Sequence, residues 1–541
     1  MSRRADVPLL LAVVAVGVAV RLSPLALSPL PYNTDGFVFA STAERILATD
    51  GVALTGAAAP APDQYLFATL ASVLSEVTGV APLYLLQALV ACLAVVPSLV
   101  VVGYVCSLTA DRPRAHRRAA AAVAGIGLSL DGGFLFRTMS VNGEVYGMAL
   151  LFCLLLALHR ALVTERRAWT ALAVAFAVVM PVAHNLSALL AGLVGTTLVA
   201  VALARRPTAA RIGAGALGVA AFWVLTVGYY EAVSLPKAGA VTASLGLFVA
   251  WVILTVAVGR WLDTTSLAIK RAALLAAFGA GLAVFVSNAV VSIYPGTATT
   301  TPLMVALIGP LGVVLLLLAA LGLPRLTDER GLGVLAAVVG PLAAIGFGLT
   351  AGSTPLHKDL ILRSATFLHP GVFVAAAVAL AWLAAERPRT GRVAAVAAVA
   401  VIVVSAAFPF AGLAAMPFEP VTESDEFAAA TFASDRVSTG WATDEHLALV
   451  ATNYREGGAT SAPTTAWVRG DTGPPDCPTL ARESWTTVGA PTGTGPRQLS
   501  PRTYDAWVMS GDVVYAGGGD ERIVLRWGEG ECRGPETEVR P

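Results

Sequence analysis

Apolar runs fill most of this chain, and polar residues are confined to the gaps between them. Thirteen such runs stand out: residues 7–22, 81–108, 119–135, 145–163, 168–182, 186–204, 212–230, 241–259, 272–292, 302–322, 331–349, 367–384 and 393–413. A helix needs about 20 residues to cross a bilayer. The runs are continuous blocks such as VPLLLAVVAVGVAV, without the polar/apolar alternation of a barrel strand. In lipid every backbone polar group must be paired within its own segment, so runs of this kind are helices. The pattern predicts a polytopic α-helical membrane protein with about thirteen transmembrane helices.

Composition sharpens that reading. The chain of 541 residues is 56% hydrophobic and only 13% charged, against about 25% charged in a soluble domain. Basic clusters occupy every second gap: MSRR, then residues 111–118, 164–167, 205–211, 260–271, 324–330 and 386–392. Short loops rich in Lys and Arg are cytoplasmic. The strict alternation places the N-terminus inside and, with an odd number of spans, the C-terminus outside. MSRR before the first run resembles the basic region of a signal peptide. No small-residue cleavage site follows RLSPLALSPLPY, so the run is expected to stay as an anchor.

Two regions follow: a membrane domain over 1–418, whose first external loop spans 23–80, and an extracytoplasmic domain over 419–541. The second holds ten arginines against nineteen acidic residues, about nine net negative charges. RIVLRW, DAWVMS and DVVYAG within it read as strands, and ESDEFAAATFAS as a helix with a favourably acidic first turn. A small α/β or β-rich domain is expected, with 457–500 mostly loop. Cys477 and Cys532 could form one bridge there if the compartment is oxidising.

The ionisable residues of the membrane domain gather in the gaps predicted to be external. They include Asp35 in the first loop, Asp131, Arg137 and Glu144 in DGGFLFRTMSVNGEVYG, and His184 in PVAHNLSALL. His357, Lys358, Asp359, Arg363 and His369 follow in GSTPLHKDLILRSATFLHP. An ion-coupled transporter would keep such groups near the bilayer midplane. A one-sided site suits an enzyme whose substrate is presented at the outer leaflet. After Asp35 the apolar positions Phe37, Ala40, Ala43, Ile46 and Leu47 follow helical spacing, predicting an amphipathic interfacial helix with Thr34 or Asp35 as its cap. No Gly-rich phosphate loop, HExxH, paired CxxC or GxSxG elbow occurs in a fitting context.

The stretch DGFVFASTAERILATDG, with Asp35, Phe37, Ala43 and Gly51, resembles the first external loop of the GT-C superfamily. These integral-membrane glycosyltransferases take sugars from polyprenyl-phosphate carriers. Their second acidic motif is matched by Glu144 in RTMSVNGEVYG, and the layout of spans and terminal domain is similar. The resemblance implies Asp35 as general base or acceptor-orienting carboxylate, and Glu144 as a second acid for the acceptor or a metal. It implies Arg363 as the partner of the donor phosphate, since a planar guanidinium meets phosphate bidentately. His184 and His357 would hydrogen-bond phosphate or sugar, and Arg137 is either a site residue or a lipid-headgroup contact.

A WWDYG-like signature and a second acid beside Asp35 are both missing, which points to a monosaccharide donor such as dolichyl-phosphate-mannose. The implied partners are a polyprenyl (dolichyl) phosphate-linked hexose, an extracytoplasmic glycan or glycoprotein acceptor and membrane lipid, with no nucleic acid. A divalent cation, Mg or Mn, is the one cofactor the carboxylates suggest; its ligands stay open. A flippase or transporter of lipid-linked sugars would share the topology without needing a base. A membrane assembly protein would depend on its tail alone.

Overall fold

The computed structural model describes residues 7–49, 51, 61–235, 243–294, 297–326, 328–455, 458–517, 519 and 521–532. The first part of the membrane region comprises α1 (Val7–Leu22), α2 (Asp35–Ala48), α3 (Tyr65–Thr78), α4 (Pro82–Leu93), α5 (Val96–Leu108), α6 (Arg114–Leu130), α7 (Gly132–Met139) and α8 (Gly143–Thr164). It continues with α9 (Arg167–Ala183), α10 (Asn185–Arg205), α11 (Ala209–Ala232), α12 (Leu245–Thr264) and α13 (Leu267–Ser287). The last four are α14 (Pro302–Gly322), α15 (Leu332–Ala351), α16 (Pro355–Glu386) and α17 (Pro388–Ser405). Several begin with Pro in the first turn, where its missing N–H costs nothing.

Every apolar run has its helix. Among the described residues, 11 helices are long and apolar enough to cross a membrane. The run at 119–135 is instead a broken pair, α6 and α7, bent by 56° at Asp131. The run at 168–182 is α9, whose 17 residues extend about 25 Å. The centre of the bundle is close-packed through small residues. A Cβ on Gly322 would strike the Ala375 carbonyl, and one on Gly340 would strike Val194, so α14, α15, α16 and α10 approach backbone to backbone.

Ion pairs collect the basic junctions at one end of the bundle. Arg112 reaches Glu386 at 3.8 Å, and Arg205–Asp263, Arg206–Glu329 and Arg211–Glu165 tie five further helix ends together. The junctions carrying the candidate site residues alternate with these along the chain.

The C-terminal region is an α/β sandwich. Its helices are α18 (Ser424–Arg436), α19 (Glu445–Arg455), α20 (Ala462–Arg469) and α21 (Pro501–Met509); its strands are β1 (Trp441–Ala442), β2 (Ala459–Thr460), β3 (Thr479–Arg482), β4 (Val513–Gly517) and β5 (Ile523–Arg526). The sheet order is β2-β1-β3-β5-β4, parallel at β2-β1-β3 and antiparallel from β3 onward. Alternation along the strands splits the core. Leu480, Ile523 and Leu525 face α18 and α19, while Ala481 and Val524 face Trp467, Trp485 and Trp507. Glu423 and Glu426 close a capping box at the start of α18.

Three expectations are corrected. DAWVMS is not a strand but part of α21. Tyr504, Trp507 and Val508 repeat at helical rather than two-residue spacing, and Ser500 caps the start by accepting from the Thr503 amide. The supposedly loop-like stretch 457–500 contains α20, β2 and β3. The first-loop helix, α2, exists, but its apolar face is buried against α3, α4 and α19 rather than laid on the interface. Thr34 occupies the N-cap position without a capping side-chain bond, and Asp35 is the first helical residue.

Cys477 and Cys532 are bridged across 55 residues, joining the start of the β3 segment to the chain beyond β5. Replacing Cys477 by Ser should cost about 2–4 kcal/mol by releasing that loop in the unfolded chain. Denaturant unfolding followed by the fluorescence of the buried tryptophans, with and without reductant, checks this; reductant should leave the variant unaffected.

Candidate active site

The site is built where three helices begin at the same end of the bundle. Asn142 caps α8 by accepting the Val145 amide at 3.2 Å, which sets Glu144 in the first turn. Glu144 is 2% exposed, beside the positive end of the helix dipole. His184 links α9 to α10 and is also buried. Arg363 comes from the third turn of α16.

The Arg363 guanidinium gathers these groups. Its Nε donates to Glu144 Oε2 at 2.5 Å, Nη1 to Asp359 Oδ2 at 3.1 Å, and Nη2 meets His184 Nε2 at 3.1 Å. Nε2 faces an obligate donor, while Nδ1 caps α10 by accepting the Ser187 amide at 3.3 Å and lies 3.0 Å from Ser187 Oγ. Three of the five guanidinium N–H groups are thereby engaged, leaving one on each Nη. The second Glu144 oxygen, Oε1, is buried without a hydrogen-bond partner. A buried carboxylate oxygen in that state is an acceptor for a hydroxyl or a cation. Arg137 joins from α7 through Asp359, 3.6 Å away.

A cavity of about 150 Å³ opens beside Arg363 between α10, α11, α12, α15 and α16. Its walls are apolar and aromatic, with Leu186, Leu189, Trp223, Phe248 and Phe347, while His357, Asp359 and Arg363 stand at its polar side. His357 is held by Thr354 Oγ1, 2.7 Å from Nδ1. The slot is oily, and its polar side sets the Arg363 guanidinium among the carboxylates of Asp359 and Glu231.

Asp35 enters from the adjoining loop. The Val141 amide donates to the Tyr32 carbonyl at 2.9 Å, so the segment before Asp35 and the segment before Glu144 are bonded backbone to backbone. Gly36 permits this contact, since a Cβ there would strike Pro31. Asp35 itself is exposed. Among the described residues no group of three or more His, Cys, Asp or Glu converges as a metal site.

The structure thus brings Glu144, His184, Arg363 and, through Asp359, Arg137 into one network. His357 stands at the cavity and Asp35 on the neighbouring loop. Asp359, Asp131 and His369 were counted among the polar residues of the external gaps without a role; the position of Asp359 four residues before Arg363 on one helix was the available signal for the first. Buried Asp131 caps α7 by accepting the Phe134 amide at 3.0 Å, and its other oxygen lies 2.6 Å from His369 Nδ1, which fixes the α6/α7 bend against α16.

No protein-family model matches the chain, and no curated protein is similar in sequence. Solved structures do resemble it. The apo oligosaccharyltransferase of Archaeoglobus fulgidus aligns with a TM-score of 0.51 at 12% identity, over 90% of this chain and 70% of that one. ArnT from Cupriavidus metallidurans in the apo state gives 0.37 at 14% identity, over 96% and 98% of the two chains. The mycobacterial arabinofuranosyltransferase AftD gives 0.45 at 13%, over 98% of this chain and 42% of that one. Such likeness is one of fold.

Removing Arg363 would strand the Glu144 charge in a buried setting. Arg363→Met should destabilise the detergent-solubilised protein by about 3–5 kcal/mol. Arg137→Met, whose partner Asp359 is half exposed, should cost under about 1 kcal/mol. Denaturation of the two variants side by side checks the contrast, and equal losses would contradict this picture of the network.

Proposed function

We propose that this chain, which has the GT-C fold, is a membrane glycosyltransferase taking a sugar from a polyprenyl-phosphate carrier. The sugar is a single hexose, with mannose the first candidate, and the acceptor is a glycan or glycoprotein. The observation that carries the reading is the buried Arg363 guanidinium at the mouth of an apolar cavity, beside a carboxylate with one unpartnered oxygen. The prenyl chain would follow the cavity wall, and the phosphate would take the two unused N–H groups of Arg363 with help from His357.

In the reaction the acceptor oxygen attacks the anomeric carbon while the bond from that carbon to the phosphate oxygen breaks. The acceptor proton passes to Asp35, and the polyprenyl phosphate leaves with the bonding electrons. Arg363 meets the charge that grows on the departing phosphate, and His184 keeps the guanidinium aimed. Glu144 offers its open oxygen to an acceptor or sugar hydroxyl.

The proposed orientation sets the N-terminus in the cytoplasm and the C-terminal domain, residues 419–541, outside. Two features support it: the basic junctions share one end of the bundle, and the terminal domain carries a disulfide of the kind that persists in oxidising compartments.

The test is mass spectrometry of surface glycans in a strain lacking this gene, complemented by wild type, Asp35→Asn or Arg363→Lys. Wild type should restore one missing sugar. Asp35→Asn should lower transfer by about 10²-fold or more at equal expression, as for loss of a general base. Full restoration by Asp35→Asn would sink the enzyme reading and favour a flippase of lipid-linked sugars.

A further inference from the structure

The loop that carries Asp35 is gripped from two sides. On the membrane side, Tyr32 is fixed by its amide to Gln87 Oε1 at 3.0 Å, its hydroxyl to the Pro409 carbonyl at 2.6 Å, and its carbonyl to Val141. On the other side the contacts come from the C-terminal region. The Asn33 amide donates to the Pro420 carbonyl at 2.6 Å, and Asn453 Nδ2 donates to the Thr34 carbonyl at 3.0 Å. These two bonds meet the two residues that immediately precede Asp35. Asn33 has φ of 85°, a left-handed conformation uncommon for a residue with a side chain. Such a residue keeps that backbone only where its surroundings hold it.

The rest of α2 lies in an aromatic clamp from the same region. Phe37 stacks on Phe427 with ring centres 5.4 Å apart and meets Tyr454 edge-on at 6.3 Å. Tyr454 donates its hydroxyl to Glu44 Oε1 at 3.1 Å. Burial pushes the Glu44 carboxyl up and the Tyr454 phenol to about 12, so the phenol keeps its proton at any physiological pH.

Both arms of the grip lead back to one buried group. Asp444 starts α19, the helix of Asn453, by accepting the Leu447 amide at 3.0 Å. Its other oxygen takes the Arg482 Nε at 2.9 Å and the Trp485 indole at 2.9 Å. Arg482 Nη1 also holds Glu419 at 3.1 Å, next to Pro420, as well as Glu426. One fully enclosed guanidinium therefore fixes both the segment that meets Asn33 and the helix that meets Thr34.

We propose that the C-terminal domain is a positioning device for Asp35, with Asn453 the positioning residue that fixes the first turn of its helix. This rests on the reading of Asp35 as the base. Asn453 acts by holding the Thr34 carbonyl so that the following carboxylate keeps one direction. A small error of aim in a catalytic group can cost one to two powers of ten in rate.

The experiment compares wild type, Asn453→Ala, Asn453→Gln and Tyr454→Phe as full-length protein in nanodiscs. Asn453→Ala should speed hydrogen exchange at the amides of residues 33–37 and lower kcat about tenfold, with the KM for a polyprenyl-phosphate hexose unchanged. Asn453→Gln, which keeps the amide donor, should recover part of both. Tyr454→Phe, which loses a bond near the far end of α2, should stay within about twofold of wild type in kcat. In the Asp35→Asn background, Asn453→Ala should cause no further loss. Unchanged exchange in Asn453→Ala, or a loss that adds fully to that of Asp35→Asn, overturns the proposal. The exchange measurement stands whether or not Asp35 is the base, so the two readings fail separately.

Discussion

A guanidinium cannot sit in an apolar bundle unless its partners are delivered to it. Arg363 is nearly enclosed, and the groups that satisfy it begin α8, close α9 and belong to α16 itself. The ends of three helices are therefore fixed relative to one another by one charge. The cap on α8, the extended His184 between α9 and α10, and the close approach of α15 and α16 through small residues all serve that convergence. The cavity opens beside the cluster among the aromatic side chains of Trp223, Phe248 and Phe347.

Two ends of the bundle treat charge differently. At one, arginines of the basic junctions pair with acids in partly exposed bridges that lie open to water. At the other, Glu144 and Asp131 are buried, and each is held by a cationic or imidazole partner from α16. The C-terminal sandwich repeats the second pattern on a small scale: Arg482, Asp444, Glu426 and Trp485 form an enclosed polar knot between two aromatic-rich layers. Such knots gain little net stability but tolerate few alternative arrangements.

The membrane layout was legible because lipid leaves the backbone a single choice: every one of the thirteen runs is helical, although those at 81–108 and 119–135 are each divided between two helices. The gathering of Glu144, His184 and Arg363 was legible because polar residues in such a chain have few places to go. What sequence could not give was direction. Asp359 looked like solvated loop because the start of α16, four residues before it, carries no apolar marking. The bend at Asp131 was hidden inside one apolar run, since a bend needs only one capping carboxylate and two glycines. The α2 helix was correctly found, yet its amphipathic pattern fits a protein partner as well as it fits a membrane surface. α21 was taken for a strand because DAWVMS holds Trp507 and Val508, which favour strands, and the helical repeat shows only when Tyr504 is included.

The carbonyl of Thr34 and the amide that holds it are separated by 419 residues of chain. During synthesis the membrane helices are complete well before Asn453 leaves the ribosome. A chain ending between Pro409 and Pro420 has the partners of Tyr32 but neither bond from the C-terminal region. The backbone just before Asp35 therefore gains its last partner only after nearly the whole chain has been made.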